Sequence, residues 1–155
     1  MGESSHVDDQ GRVRMVDVSA KAETERSATA EAIVTLTAAA RSALFSGDLP
    51  KGDALAAVRI AAIGGAKRTS ELIPLCHPIP LVSISADVES TRSGARVTVT
   101  VKSVGRTGVE MEAITGAAVG AVTLYDMVKS VDRGAEIGPI RLLAKSGGKS
   151  GEWSR

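Results

Sequence analysis

Along residues 26–36 (RSATAEAIVTL) aliphatic side chains recur at every second position, at Ala30, Ala32, Val34 and Leu36, and predict a strand with one buried face. Residues 37–46 (TAAARSALFS) drop the alternation for an alanine-rich helical stretch that Gly47 can stop. Asp53 is placed to cap a second helix running to about Ile63, with Gly64 and Gly65 ending it. Residues 67–72 predict a further helical turn, which must finish near Ile73 because Pro74 disfavours helical backbone at the residue before it. Alternation returns in 81–88 and 95–101, joined by ESTRSG with Gly94 in the connection, which is a hairpin signal. Residues 108–132 predict one long helix closed by Gly134, and 137–144 (IGPIRLLA) a last strand before the glycine-rich KSGGKSG.

The order strand, helices, strand, strand, helix, strand is that of a split βαβ unit. It predicts an α+β protein with a ferredoxin-like βαββαβ core, in which a four-stranded antiparallel sheet carries helices on one face. Residues 1–14 are polar and aperiodic and predict a disordered tail, leaving 15–155 as a single domain.

Composition narrows the partners. Of 155 residues, 43% are hydrophobic but only 2% aromatic, so the core must be built from Val, Ile, Leu and Ala. Such side chains bury little area each, roughly 0.8 kcal/mol per CH2, which favours added burial between subunits. The net charge of +1 supplies no general attraction to nucleic acid, and one residue of each aromatic type cannot stack successive bases. A single cysteine fits a reducing compartment. No apolar run reaches the ~18 residues of a membrane span, and the first residues lack an apolar leader segment. The expectation is a cytoplasmic protein with neither membrane nor nucleic-acid partner.

Residues 71–81, ELIPLCHPIPL, set the only cysteine beside one of two histidines between three prolines. A metal centre would need further ligands, and the other histidine, His6, lies in the tail. A Cys–His nucleophile pair fails on reach, because neighbours in an extended loop point to opposite sides. Two readings of His77 stay open. It satisfies a backbone carbonyl, or it offers an imidazole to a ligand from a loop stiffened by Pro74, Pro78 and Pro80.

In the long helix, Glu112, Thr115, Val119, Thr123, Asp126 and Ser130 share a face, with Lys129 one turn from Asp126. Asp126–Lys129 is either a solvent ion pair or a partly buried pair with shifted protonation. Glu112 and Asp126 are separated by about 21 Å of helix, so both serve one ligand only if that ligand is long or two chains contribute. Gly116 and Gly120 each cost roughly 1 kcal/mol inside a helix and imply a close neighbour. KSGGKSG is not a Walker loop but could form an anion nest with Lys145 and Lys149. Further cations at Lys21, Arg26, Lys51, Lys67, Arg68 and Arg141 could hold a polyanion.

MVDVSAKAETER, KGD, AKRTSELIPLCHPIPL, GRTGVEMEAITGAAVGAVTLYDMVKSVDR and IGPIRLLAKSGGKSG, taken together between residues 15 and 151, resemble the cyclic pyranopterin monophosphate synthase family of molybdenum cofactor biosynthesis. The resemblance implies a lyase that rearranges 3′,8-cyclo-7,8-dihydroguanosine 5′-triphosphate to cyclic pyranopterin monophosphate and releases pyrophosphate. It implies a homohexamer, a trimer of dimers, with sites at the dimer interface. Asp126 and Lys129 would be catalytic. Leu75, Cys76, His77, Met111, Glu112, Lys51, Lys21, Arg26, Lys145 and Lys149 would bind substrate. No resident metal or cofactor is implied, although Mg2+ could accompany the triphosphate. A ferredoxin-like module that senses a nucleotide without chemistry is the alternative.

Overall fold

The computed structural model describes Val7, Asp8 and residues 10–155. His6 and the rest of 1–6, with residue 9, lie outside the described residues of the predicted tail. The elements are β1 (Thr24–Thr35), α1 (Ala38–Ser46), α2 (Ala54–Lys67), α3 (Thr69–Leu72), β2 (Leu81–Thr91), β3 (Gly94–Gly105), α4 (Glu110–Val128), β4 (Glu136–Ser146) and β5 (Trp153–Ser154). The strands form one antiparallel sheet in the order β2-β3-β1-β4-β5.

The alternation seen in the sequence sets the sheet's two faces. Ala28, Ala30, Ala32 and Val34 of β1 pair in register with Val101, Val99, Val97 and Ala95 of β3, and all eight are buried. α4 packs against β1, β3 and β4, and α2 lies against β2 and α4. The intervening positions carry the other face, where the hydroxyls of Thr29 and Thr100 meet at 2.8 Å. Glu31 on that face is only 3% exposed, because Arg141 and Arg96 close on its carboxylate at 2.7 and 3.1 Å and tie β4 and β3 to β1. Arg141 is therefore occupied structurally and is not a free cation for a polyanion.

Three sequence expectations are corrected. The sheet has five strands rather than four, since Trp153 and Ser154 pair with Lys145 and Ala144 of β4. A two-residue strand carries no periodicity to detect. α2 does not stop at Gly64–Gly65 but runs through them to Lys67. Neither glycine takes the left-handed backbone a glycine cap requires. The long helix spans Glu110–Val128, shorter at both ends than 108–132, and buried Asp132 beyond it accepts the Thr37 backbone N–H at 2.7 Å. That bond fastens the end of α4 to the start of α1.

The helix glycines serve close packing, as the sequence suggested. A Cβ on Gly116 would lie 3.0 Å from the Ala62 carbonyl oxygen, and one on Gly120 would lie 2.9 Å from Val97 Cγ1. Gly65 makes the reciprocal contact on α2, where a Cβ would meet Val119 Cβ at 2.7 Å. Gly65→Ala gains roughly 1 kcal/mol of helix propensity but forces α2 from α4, and overpacking of this kind costs about 1–3 kcal/mol. Urea unfolding is expected to show net destabilisation. A more stable variant would refute the tight contact.

Candidate active site

The proline-rich segment after α3 forms one wall of a cavity of about 310 Å3. Leu75, Cys76 and His77 line it opposite Met111 and Glu112 of the first turn of α4, and Val16, Val18 and Lys21 close a third side. The loop turns on a hydrogen bond from the Cys76 N–H to the Ile73 carbonyl at 3.0 Å. His77 Nε2 lies 2.7 Å from the Val16 carbonyl oxygen. A carbonyl only accepts, so Nε2 carries the proton and Nδ1 is the nitrogen left for a ligand or a second proton. His77 thus satisfies a backbone carbonyl, as the first of the two readings has it, and also lines the cavity.

Glu112 is 3% exposed, and its Oε2 is buried without a hydrogen-bond partner. Burial pushes its carboxyl above the usual range, with the Glu110 charge adding to the rise and a backbone hydrogen bond opposing it. Burial likewise raises the Cys76 thiol, and the nearby Glu112 charge adds to it. The thiol is therefore held protonated, which disfavours thiolate nucleophile and metal-ligand roles. Among the described residues, no three His, Cys, Asp or Glu side chains are grouped to hold a metal ion.

A second cavity of about 530 Å3 shares Lys21, Thr107 and Gly108 with the first. Lys21, Arg26, Arg106 and Lys149 make it cationic. Gly147 and Gly148 take left-handed backbone, with φ of 96° and 71°, at the start of the C-terminal loop. A Cβ on Gly148 would overlap the Arg26 guanidinium, so the arginine lies flat on the loop, and its Nε is buried without a partner. Lys145 does not face this cavity openly. Its ammonium is 3.2 Å from Glu110 Oε1 and 2.5 Å from Ser150 Oγ. Sequence reasoning missed Arg106, Val16 and Val18. Arg106 had a usable signal, a cation between glycines immediately ahead of a helix start, where backbone N–H groups and the helix dipole favour anions.

Lys51, Asp126 and Lys129 form a separate group at the far end of α4. Lys51 Nζ is 2.6 Å from Asp126 Oδ2 and donates to the Asp126 carbonyl at 2.8 Å, and Lys129 Nζ is 2.7 Å from Oδ1. Hydrogen bonds from Lys129 and then Lys51 lower the Asp126 carboxyl to about 2, and the same contact raises Lys129. Within one chain the predicted site residues therefore fall into two sets, separated by about 21 Å of helix. Lys67 and Arg68 line neither cavity.

The cavity walled by Leu75, Cys76, His77, Met111 and the partnerless Glu112 thus adjoins one lined by four cations, an arrangement suited to a small molecule. The chain belongs to the MoaC family, whose model matches residues 15–148. It is 54% identical over 154 residues to the cyclic pyranopterin monophosphate synthase of Corynebacterium efficiens, with 99% of each chain covered. It is 50% identical to cyclic pyranopterin monophosphate synthase 2 of Mycobacterium tuberculosis strain H37Rv, covering 99% of this chain and 92% of the relative. It is also 50% identical to the Roseiflexus castenholzii synthase, with 98% of each covered. The described helices include none long and apolar enough to cross a membrane.

Proposed function

We propose that the chain converts 3′,8-cyclo-7,8-dihydroguanosine 5′-triphosphate to cyclic pyranopterin monophosphate and pyrophosphate, in the cytoplasmic synthesis of molybdenum cofactor. The observation that carries this reading is the adjacency of the orphaned Glu112 carboxylate and the cationic cavity of Lys21, Arg26, Arg106 and Lys149. The guanine-derived ring offers neighbouring N–H donors that complement a buried carboxylate, and the triphosphate supplies charge for the cations. In the chemistry, a ribose hydroxyl attacks the α-phosphorus as the bond to pyrophosphate breaks. The cations hold the leaving oxygens in line.

Asp126 and Lys129 are the catalytic pair in this reading, and Lys51 anchors them. Because they lie far from Glu112 in one chain, the working site takes Glu112 and His77 from one subunit and the Lys51–Asp126–Lys129 group from a second. That supports a dimer-interface site, and the small-residue core favours further burial between subunits, which a trimer of dimers would supply. The strand order β2-β3-β1-β4, with helices between β1 and β2 and between β3 and β4, supports a ferredoxin-like core within a single domain over 15–155. No resident metal belongs to this reading, and any Mg2+ arrives on the triphosphate.

Incubating purified protein with the cyclic dihydro-GTP substrate, and following pyrophosphate and the pyranopterin product together, tests the proposal. Both products are expected in equal amounts. Tight binding of the nucleotide with no turnover would replace the enzyme by the sensing module.

A further inference from the structure

We infer that Glu110 is a positioning residue for the pyrophosphate end of the cleft, acting through Lys145 on the C-terminal glycine loop. The inference rests on the proposed function. Glu110 sits in the first turn of α4, and a Cβ on Gly108 would overlap its carboxylate, so the acid lies against the loop that carries Arg106 and Thr107. From there it holds Lys145 at 3.2 Å, and the same ammonium reaches Ser150 Oγ at 2.5 Å. One chain of contacts thus joins the helix start to β4 and to the loop beside Lys149.

The loop needs such a tether. Gly147, Gly148 and Gly151 all have positive φ, and glycine imposes little restraint of its own. Its internal backbone bond, Gly151 N–H to the Gly148 carbonyl, is long at 3.2 Å. The Lys145–Ser150 bond fixes where Lys149 and the Arg26-covered Gly148 stand. With donors engaged by Glu110 and Ser150, Lys145 is the pivot between α4 and the loop.

A carboxylate beside a polyanion pocket invites the opposite reading, that it repels phosphate and that its removal tightens binding. One feature argues against this, even though removing the carboxylate leaves the Lys145 charge unmatched. Without it, Lys145 swings on a flexible four-carbon stem and the loop loses its register.

The experiment measures pyrophosphate affinity by calorimetry for the wild type, Glu110→Gln, Ser150→Ala and the double variant, alongside steady-state kinetics. Each single change is expected to weaken pyrophosphate about tenfold, a modest case of misplacing a positioned group. The double variant is expected to be no weaker than the worse single one, since both break one chain of contacts. KM should rise by more than kcat falls. Unchanged or tighter binding by Glu110→Gln, or full additivity, overturns the inference while leaving the proposed function standing. Failure of the wild type to bind pyrophosphate also overturns the inference, whereas the proposed function stands or falls on product formation. Ser150 is exposed, so Ser150→Ala keeps the test alive if Glu110→Gln does not fold.

Discussion

Asp126→Asn and Lys129→Ala leave the fold intact and lower turnover by about three orders of magnitude, within the range that a positioned general acid or base contributes. The fold is insensitive because Asp126 and Lys129 side chains are 52% and 51% exposed, and ion pairs so open to solvent add little to stability. Thermal unfolding should be nearly unchanged in both variants. Turnover is sensitive because the pair has a defined proton inventory. With its carboxyl at about 2, Asp126 is ionised throughout the working range, and the raised Lys129 stays an ammonium. In the proposed reading Lys129 is the proton donor and Asp126 the group that aims it. Asn keeps the shape but accepts through one oxygen only and no longer holds the ammonium electrostatically. Asp126 should contribute no acid limb to kcat between about pH 5 and 8, because its carboxyl does not titrate there. Product formation at the wild-type rate in both variants would remove the pair from the mechanism.

The same assignment makes a quantitative statement about assembly. If each site joins Glu112 of one chain to Asp126 of another, inactive Glu112→Ala and Asp126→Ala chains should complement when refolded together. Random pairing makes half the dimers mixed, and each mixed dimer regains one intact site of two, so about a quarter of wild-type activity returns. Co-assembled oligomers that stay inactive would place the whole site in one chain.

How much of this was legible follows from what each feature asks of the sequence. The core faces of β1 and β3 were readable because period-two burial writes itself into Ala30, Ala32, Val34 and the valines opposite them. The meeting of Cys76 and His77 with Glu112 was readable only through the family resemblance, since no spacing links residue 77 to 112. The course of α2 through Gly65 was not readable, because that glycine answers to Val119 on another helix and not to local preference. Arg106 looks like any surface cation until the fold sets it beside Lys21 and Lys149. The pairing of Lys145 with Glu110 was not readable either, being a contact between residues 35 apart in sequence.

Glu112→Gln should make the protein more stable and a worse enzyme. The carboxyl is buried, one oxygen has no partner, and burial raises its pKa in the folded chain. A folded pKa above the unfolded one means the group favours folding below the unfolded value of 4.5, and that contribution is lost as pH rises through the raised folded value. Above the raised value the ionised side chain is thus a burden on the fold. A neutral amide in the same place still lacks partners but costs less than a charge. The gain is of the order of 1 kcal/mol, seen as about 2–4 °C in Tm above that value and fading toward the ordinary glutamate range. Against it stands the loss of charge-assisted bonds to the ring N–H donors, each pair amounting to about 1.5–3 kcal/mol, so kcat/KM falls by roughly 100-fold. The wild type should show kcat/KM rising with pH through the elevated Glu112 value, and the variant should lack that limb. A destabilised variant would mean that Glu112 is a structural acid whose partner is supplied on folding or assembly. A stabilised variant with undiminished kcat/KM would mean that the ring is held elsewhere. Only the combination of greater stability and weaker catalysis identifies a carboxylate kept unsatisfied for its ligand.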